Sequence, residues 1–329
     1  MKGLVLAAVT VCGLAGGMLA LGWSGGAPAA APGAAAAPAA KPEAANSRPL
    51  VFVFQKQKDP TDIKAKAEEV AAFLAKETGR PFTAVVPTDY AASVQALVSG
   101  KADFAYVSAI PFLLAQRDAK ATLVLAEQRP DLTGTARTSY DSVLVAKAES
   151  PLTGMADVVK RAKDLRLAFT SRTSTSGYVM PYSRFVDEGL LKARQNPAEA
   201  FKAVAFAGSY TQALQAVLDG RAEVAAVSAY TVEGPTADAY LPSADRQRLK
   251  VVARMPNVPT HLICVRGGVE AEVVAGVRAA LLKLAKEKPD LLSAVYGASA
   301  LVEVDAAKHL EPVRQALERL GEPIEGFAR

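Results

Sequence analysis

The chain has 329 residues, of which 50% are hydrophobic and 22% charged. That supplies apolar material for two lobes of ordinary size and excludes disorder of the whole chain. Its 38 Lys and Arg against 33 Asp and Glu give a net charge of +5 without any basic run, so nucleic acid is not an expected partner. Two cysteines, Cys12 and Cys264, and two histidines, His261 and His309, exclude a disulfide framework and most metal centres. No metal and no cofactor are expected.

Met1-Lys2 precedes an uncharged apolar stretch from Gly3 to Trp23. Residues 1–23 therefore read as a signal peptide or an N-terminal anchor. Val11 stands before Cys12 where a lipoprotein signal needs a small residue, which argues against lipid attachment. Residues 24–48 are nearly all Ala, Pro and Gly, a composition that buries little, and they read as a linker. The folded protein is expected to begin near Pro49 and to act outside the cytoplasmic membrane, tethered to it if residues 3–23 are retained.

From Leu50 the chain alternates strands and helices. The apolar run Leu50–Phe54 predicts a buried strand. Asp59-Pro60 predicts a helix start, with Asp as cap and Pro in the first turn, and apolar residues at helical spacing follow from Ile63 to Phe73. Strands are predicted at Thr83–Val86 and Phe104–Val107, with a helix over Tyr90–Val98 between them. Thr138–Ala146 is β-rich and reads as one crossing between lobes. The pattern then returns: strand Leu165–Phe169, helix Gly177–Val186, strand Ala203–Phe206, helix Tyr210–Leu218, strand Val224–Val227. Leu249–Ala253 and His261–Val265 bring the chain back, and helices from about Val269 onward are expected to pack on the first lobe.

Two segments align without a gap at an offset of 120 residues: DYAASVQALVSGKADFAYVSA from Asp89 and SYTQALQAVLDGRAEVAAVSA from Ser209. Tyr90 meets Tyr210, Gly100 meets Gly220, and Val107-Ser108-Ala109 meets Val227-Ser228-Ala229. This predicts a structural duplication. Alternating strands and helices imply parallel sheets covered by helices, with ligands at the carboxyl ends of the strands. Two such lobes facing each other leave a cleft between them.

The stretch LRLAFTSRTSTSGYVMP, Leu165–Pro181, leads a strand through Ser174-Thr175-Ser176-Gly177 into a helix. Ser and Thr there serve equally as ordinary caps or, beside the positive end of a helix, as hydroxyl donors to an anion.

With these residues the chain resembles the phosphate-, phosphite- and phosphonate-binding proteins of ABC importers, the PhnD-like group. The resemblance runs from about Leu50 to Val313. It rests on Asp89-Tyr90-Ala91, Tyr140-x-Ser142-Val143-Leu144-Val145, Ser174-Thr175-Ser176-Gly177-Tyr178 with Pro181, Ala207-Gly208, and Pro256-x-x-Pro259. It implies an α/β, two-lobed type II periplasmic-binding-protein fold with hinge-linked Rossmann-like lobes. Lobe 1 would comprise residues 49–139 plus 261–329, and lobe 2 residues 140–260. The resemblance places anion oxygens on Ser174, Thr175 and Ser176, with hydroxyls from Tyr90 and Tyr140. Where aminoalkylphosphonate binders put acidic side chains against the ligand amine, this chain has Ser209, Tyr230 and His261. A buried ammonium without an anionic partner is costly, so the expected ligand is a small phosphorus oxyanion: phosphate, phosphite or a short alkylphosphonate. Arg137, Arg172 and Arg184 are candidates for steering an anion inward. The implied partner is the membrane permease of an ABC transporter, and the implied state is a monomer.

Two other functions stay in view. An oxyanion sensor coupled to a membrane histidine kinase needs the same cleft and closure. An enzyme acting on phosphate esters would need an activated nucleophile, metal ligands or a P-loop, and neither GxxxxGK[ST] nor HExxH occurs. Cys264, in an apolar strand, reads as a buried structural thiol. A binding protein, not an enzyme, is therefore expected.

Overall fold

The computed structural model describes residues 48–55 and 60–328. The expected signal or anchor, nearly all of the linker and the Asp59 cap lie outside the described residues.

The chain opens with strand β1 (Leu50–Phe54), helix α1 (Pro60–Thr78), β2 (Phe82–Val85), α2 (Tyr90–Val98), β3 (Phe104–Val107) and α3 (Ala109–Ala119). Next come β4 (Thr122–Pro130), the short β5 (Ala136–Arg137), β6 (Ser139–Lys147), α4 (Met155–Arg161) and β7 (Arg166–Phe169). A π-helical turn at Thr175–Val179 runs into α5 (Met180–Asp187), followed by β8 (Ala203–Phe206), α6 (Tyr210–Leu218) and β9 (Val224–Ser228). The last part holds α7 (Ser243–Arg246), β10 (Leu249–Pro259), β11 (Leu262–Val265), α8 (Ala271–Glu287), α9 (Pro289–Tyr296), β12 (Ala300–Val302) and α10 (Ala306–Leu320).

Two sheets form the two lobes. One runs β12-β4-β11-β3-β1-β2 with β5 on β4; the other runs β10-β6-β9-β7-β8. Within each, three strands are parallel: β2-β1-β3 in the first and β8-β7-β9 in the second. The sheets are not parallel throughout, as the sequence pattern implied. β11 lies antiparallel to β3 and β4, and β6 antiparallel to β9 and β10. Strands β6 and β11 follow the passages of the chain from one sheet to the other, so they run opposite to the strands beside them.

The duplication is visible in the backbone. Helices α2 and α6 start and stop 120 residues apart, each capped by the side chain before it: Asp89 accepts the Ala92 N–H, and Ser209 the Gln212 N–H. Gly100 and Gly220 follow them in the left-handed region, at φ 69° and 71°. That conformation carries almost no penalty for glycine.

Apolar side chains of both sheets share one core, in which Val53, Leu144, Phe169 and Phe185 belong to the same buried cluster. Helices α8 and α9 cover the first sheet beside α1. Helix α10 departs from expectation. It packs on α5, β10 and the Thr175–Val179 turn of the second lobe, and touches α3 of the first. Its buried stripe, Leu310, Val313, Ala316 and Leu320, needs an apolar partner, and Tyr182 and Phe185 of α5 are in the same cluster.

Candidate functional site

The carboxyl ends of β1, β3, β7 and β9 face the junction of the lobes, and polar residues replace the apolar core there. Ser174 caps the π-turn, accepting the Gly177 N–H at 3.0 Å. Thr175 turns to the other lobe, where its hydroxyl accepts the Ile110 N–H at 3.2 Å. Ser176 Oγ is 2.9 Å from the Tyr210 hydroxyl, 2.7 Å from Ser228 Oγ and 3.5 Å from the Tyr140 hydroxyl. Ser142 Oγ donates to the Ser176 carbonyl at 2.6 Å, which ties the turn to the crossing strand β6.

Tyr90, at the start of α2, is the contribution of the first lobe. It is 1% exposed, and its hydroxyl has no hydrogen-bond partner among the described residues. Burial and the neighbouring Tyr210 raise its pKa well above the ordinary tyrosine value, so it stays a neutral donor. Burial acts likewise on Tyr140 and Tyr230. The Tyr140 ring stands edge-on to Tyr230 at 5.0 Å and lies parallel to the His261 ring at 6.1 Å. His261 is fully buried, and neither ring nitrogen has a hydrogen-bond partner among the described residues. Its Nδ1 lies 3.4 Å from Glu127 Oε1 without the alignment of a hydrogen bond.

Tyr90, Tyr140, Ser176, Tyr230 and His261 thus gather in one place. The hydroxyls of Ser174, Thr175 and Ser209 are held by backbone N–H groups, that of Ser209 by Gln212 at 3.2 Å. Four residues were not singled out from sequence. Tyr210 and Ser228 are the counterparts of Tyr90 and Ser108 in the duplication, and the alignment was the signal that pointed to them. Glu127 and Arg129 on β4 are the second and more consequential pair, both buried in the crossing. A charged pair two positions apart in an apolar strand is the only sequence sign of them.

Arg129 Nε and Tyr106 Oη donate to Glu127, Arg129 Nη2 donates to the Tyr296 carbonyl at 2.5 Å, and the guanidinium lies 4.0 Å above the Tyr230 ring. Burial alone would raise the Glu127 carboxyl, but Arg129 and His261 outweigh it and hold the pKa at about 2. Among the steering candidates, Arg137 is on the rim of a cleft of about 390 Å³ lined also by Arg129, Tyr140 and Tyr230. Arg172 lies over the Phe206 ring, and Arg184 pairs with Glu188. Burial pushes the Cys264 thiol up to about 12, away from thiolate chemistry. No cluster of His, Cys, Asp and Glu suited to a metal ion occurs among the described residues.

Two α/β lobes meeting over a pocket of neutral hydroxyl donors define a two-lobed periplasmic binding protein of the type II class. Residues 52–309 match the family of ABC transporter, phosphonate, periplasmic substrate-binding proteins, and the chain belongs to that family. It is similar to the phosphate-import protein PhnD of Mycolicibacterium smegmatis, 25% identical over 162 residues. That match spans about half of the relative, 49% of each chain. Among solved structures it is similar to a binding-protein component of an ABC phosphonate transporter from Pseudomonas aeruginosa, with TM-score 0.70, 23% identity, and 82% of this chain covering 86% of that one. It is also similar to PhnD1 of Prochlorococcus marinus in complex with methylphosphonate, with TM-score 0.69, 17% identity, and 83% of this chain covering 99% of that one. Members of this family are the binding proteins of transporters. No helix of the described residues is long and apolar enough to cross a membrane.

Proposed function

We propose that the protein is exported, captures a small phosphorus oxyanion between its lobes as a monomer, and delivers it to the permease of an ABC importer. The observation that carries this is the Tyr90 hydroxyl of the first lobe, which makes no aligned hydrogen bond among the described residues and lies buried beside the Tyr210–Ser176–Ser228 hydroxyl cluster of the second. A buried hydroxyl without a partner is costly, and an anion accepting from both lobes removes that cost. Ser174, Thr175 and Ser176 hold the oxygens with Tyr90, Tyr140 and Tyr210, and His261 and Tyr230 close the pocket on the hinge side. Ser209 keeps its helix-capping bond and shapes the pocket from behind. Binding requires both lobes, so ligand favours the closed form by its contacts there.

The test is calorimetry of the purified protein with phosphate, phosphite, methylphosphonate, sulfate and 2-aminoethylphosphonate. A phosphorus oxyanion is expected to bind, and at a hundred times its Kd to add about 2.7 kcal/mol of stability. Binding of sulfate alone, or of none, overturns the reading.

A further inference from the structure

The proposed oxyanion slot leaves a second set of buried donors unused. Arg129 Nη1 makes no aligned hydrogen bond among the described residues, although the Tyr240 hydroxyl lies by the guanidinium, and neither ring nitrogen of His261, one of them an N–H donor in the neutral ring, has a partner there. Glu127 cannot serve them further. Its Oε1 faces Arg129 Nε and His261 Nδ1, and its Oε2 takes the Tyr106 hydroxyl and, at 3.4 Å, Arg129 Nη2. Three of its four lone-pair sites are taken by Arg129 and Tyr106 and the fourth lies by His261 Nδ1, which leaves little room for an ammonium group.

The two sets are joined. Arg129 stacks on Tyr230, Tyr230 meets Tyr140 edge-on, and the Tyr140 hydroxyl reaches Ser176 in the hydroxyl slot. Arg129, Tyr140 and Tyr230 line the cleft of about 390 Å³, against about 30 Å³ for one water, while His261 and Ser174–Ser176 lie outside its lining. The cleft has room for more than a bare tetrahedral anion. Gly297 lets the backbone pack closely against the guanidinium, because a Cβ there would lie 2.6 Å from Arg129 Nη1.

We propose that the ligand carries a second acidic group, a carboxylate on the carbon chain of the phosphonate, and that Arg129 and His261 read that carboxylate. This rests on the oxyanion reading above. A guanidinium presents its N–H groups in a fixed fork that suits a carboxylate, and the Tyr230 ring, Glu127 and the Tyr296 carbonyl hold this one in place. An alkyl substituent would leave these donors unpaired, and so would an ammonium, which has no acceptor to offer them.

Calorimetry with phosphonoformate, phosphonoacetate, 3-phosphonopropionate, methylphosphonate and 2-aminoethylphosphonate tests this. One carboxylate homologue is expected to bind at least tenfold more tightly than methylphosphonate, with affinity falling for shorter or longer chains because the donors are fixed. In the Glu127→Gln/Arg129→Gln double variant, which orphans no buried charge, that ratio is expected to fall below threefold. Methylphosphonate binding as tightly as every carboxylate homologue overturns the inference and leaves the oxyanion reading standing. So does 2-aminoethylphosphonate binding tightest, or a ratio unchanged in the double variant. If no phosphorus compound binds, the oxyanion reading itself fails. The chain-length series uses the unmodified protein, so it decides the matter even if the double variant does not fold.

Discussion

Glu127 and Arg129 stand two apart on β4, so their side chains leave the same face of the strand and enter the crossing together. Removing one partner of a buried pair leaves the other charge uncompensated. Glu127→Gln is therefore expected to cost about 3–5 kcal/mol, measured as a fall in the denaturant midpoint at pH 7. The pair also sets an acid limit. The Glu127 pKa is held at about 2 in the folded protein, below the roughly 4.3 of an unfolded glutamate. Its stabilising contribution is thus complete above pH about 5 and is lost as pH falls toward 2, amounting to about 3 kcal/mol. Melting temperatures at pH 7, 4 and 2.5 should show that loss in the native protein and a smaller one in Glu127→Gln. Identical acid profiles for both would remove Glu127 from the account. The sequence pattern assigns no element to residues 122–130, and only the fold places β4 between β11 and β12 inside the sheet.

Elements were read best where punctuation marks both ends. Helices α2 and α6 were placed to the residue because Asp89 and Ser209 cap them and Gly100 and Gly220 close them. Helix α10 packs on the second lobe and not the first, because an amphipathic stripe fixes that a face is buried and not against what. The Ser174–Gly177 turn was located correctly, but its π geometry was invisible, because π-turns have no residue pattern of their own and gather at functional sites. Gly177 makes that turn possible: a Cβ would lie 2.3 Å from Thr170 Oγ1 and 2.8 Å from Ser174 Oγ. Gly177→Ala is therefore expected to destabilise the fold by about 1–3 kcal/mol through overpacking. It should also weaken oxyanion binding more than Ser174→Ala does, because the whole turn shifts. Thermal melts and titration of the two variants check this, and an undisturbed Gly177→Ala would mean that the turn yields easily.

At the scale of the molecule, one hydrogen bond links closure to helix geometry. Helix α3 begins after Ser108, whose hydroxyl lies by Gln55 and makes no cap bond. The first N–H groups of a helix have no partner within it. The Ile110 N–H finds its acceptor in Thr175 of the opposite lobe, so closing the lobes caps a helix that is otherwise uncapped by its own residues. Such a cap contributes about 0.5–2 kcal/mol, and whatever stabilises the closed form raises the apparent affinity by mass action. Thr175→Val keeps the side-chain shape and removes the acceptor, while Thr175→Ser keeps the hydroxyl. The valine form is expected to bind its oxyanion roughly 3–30-fold more weakly and to scatter as a more open particle without ligand in small-angle X-ray measurements. The serine form should behave as the native protein does. Because Thr175 also belongs to the proposed oxyanion slot, the scattering without ligand separates the two roles: a valine form as compact as native, yet weaker in binding, would assign the hydroxyl to the ligand and leave closure to other contacts.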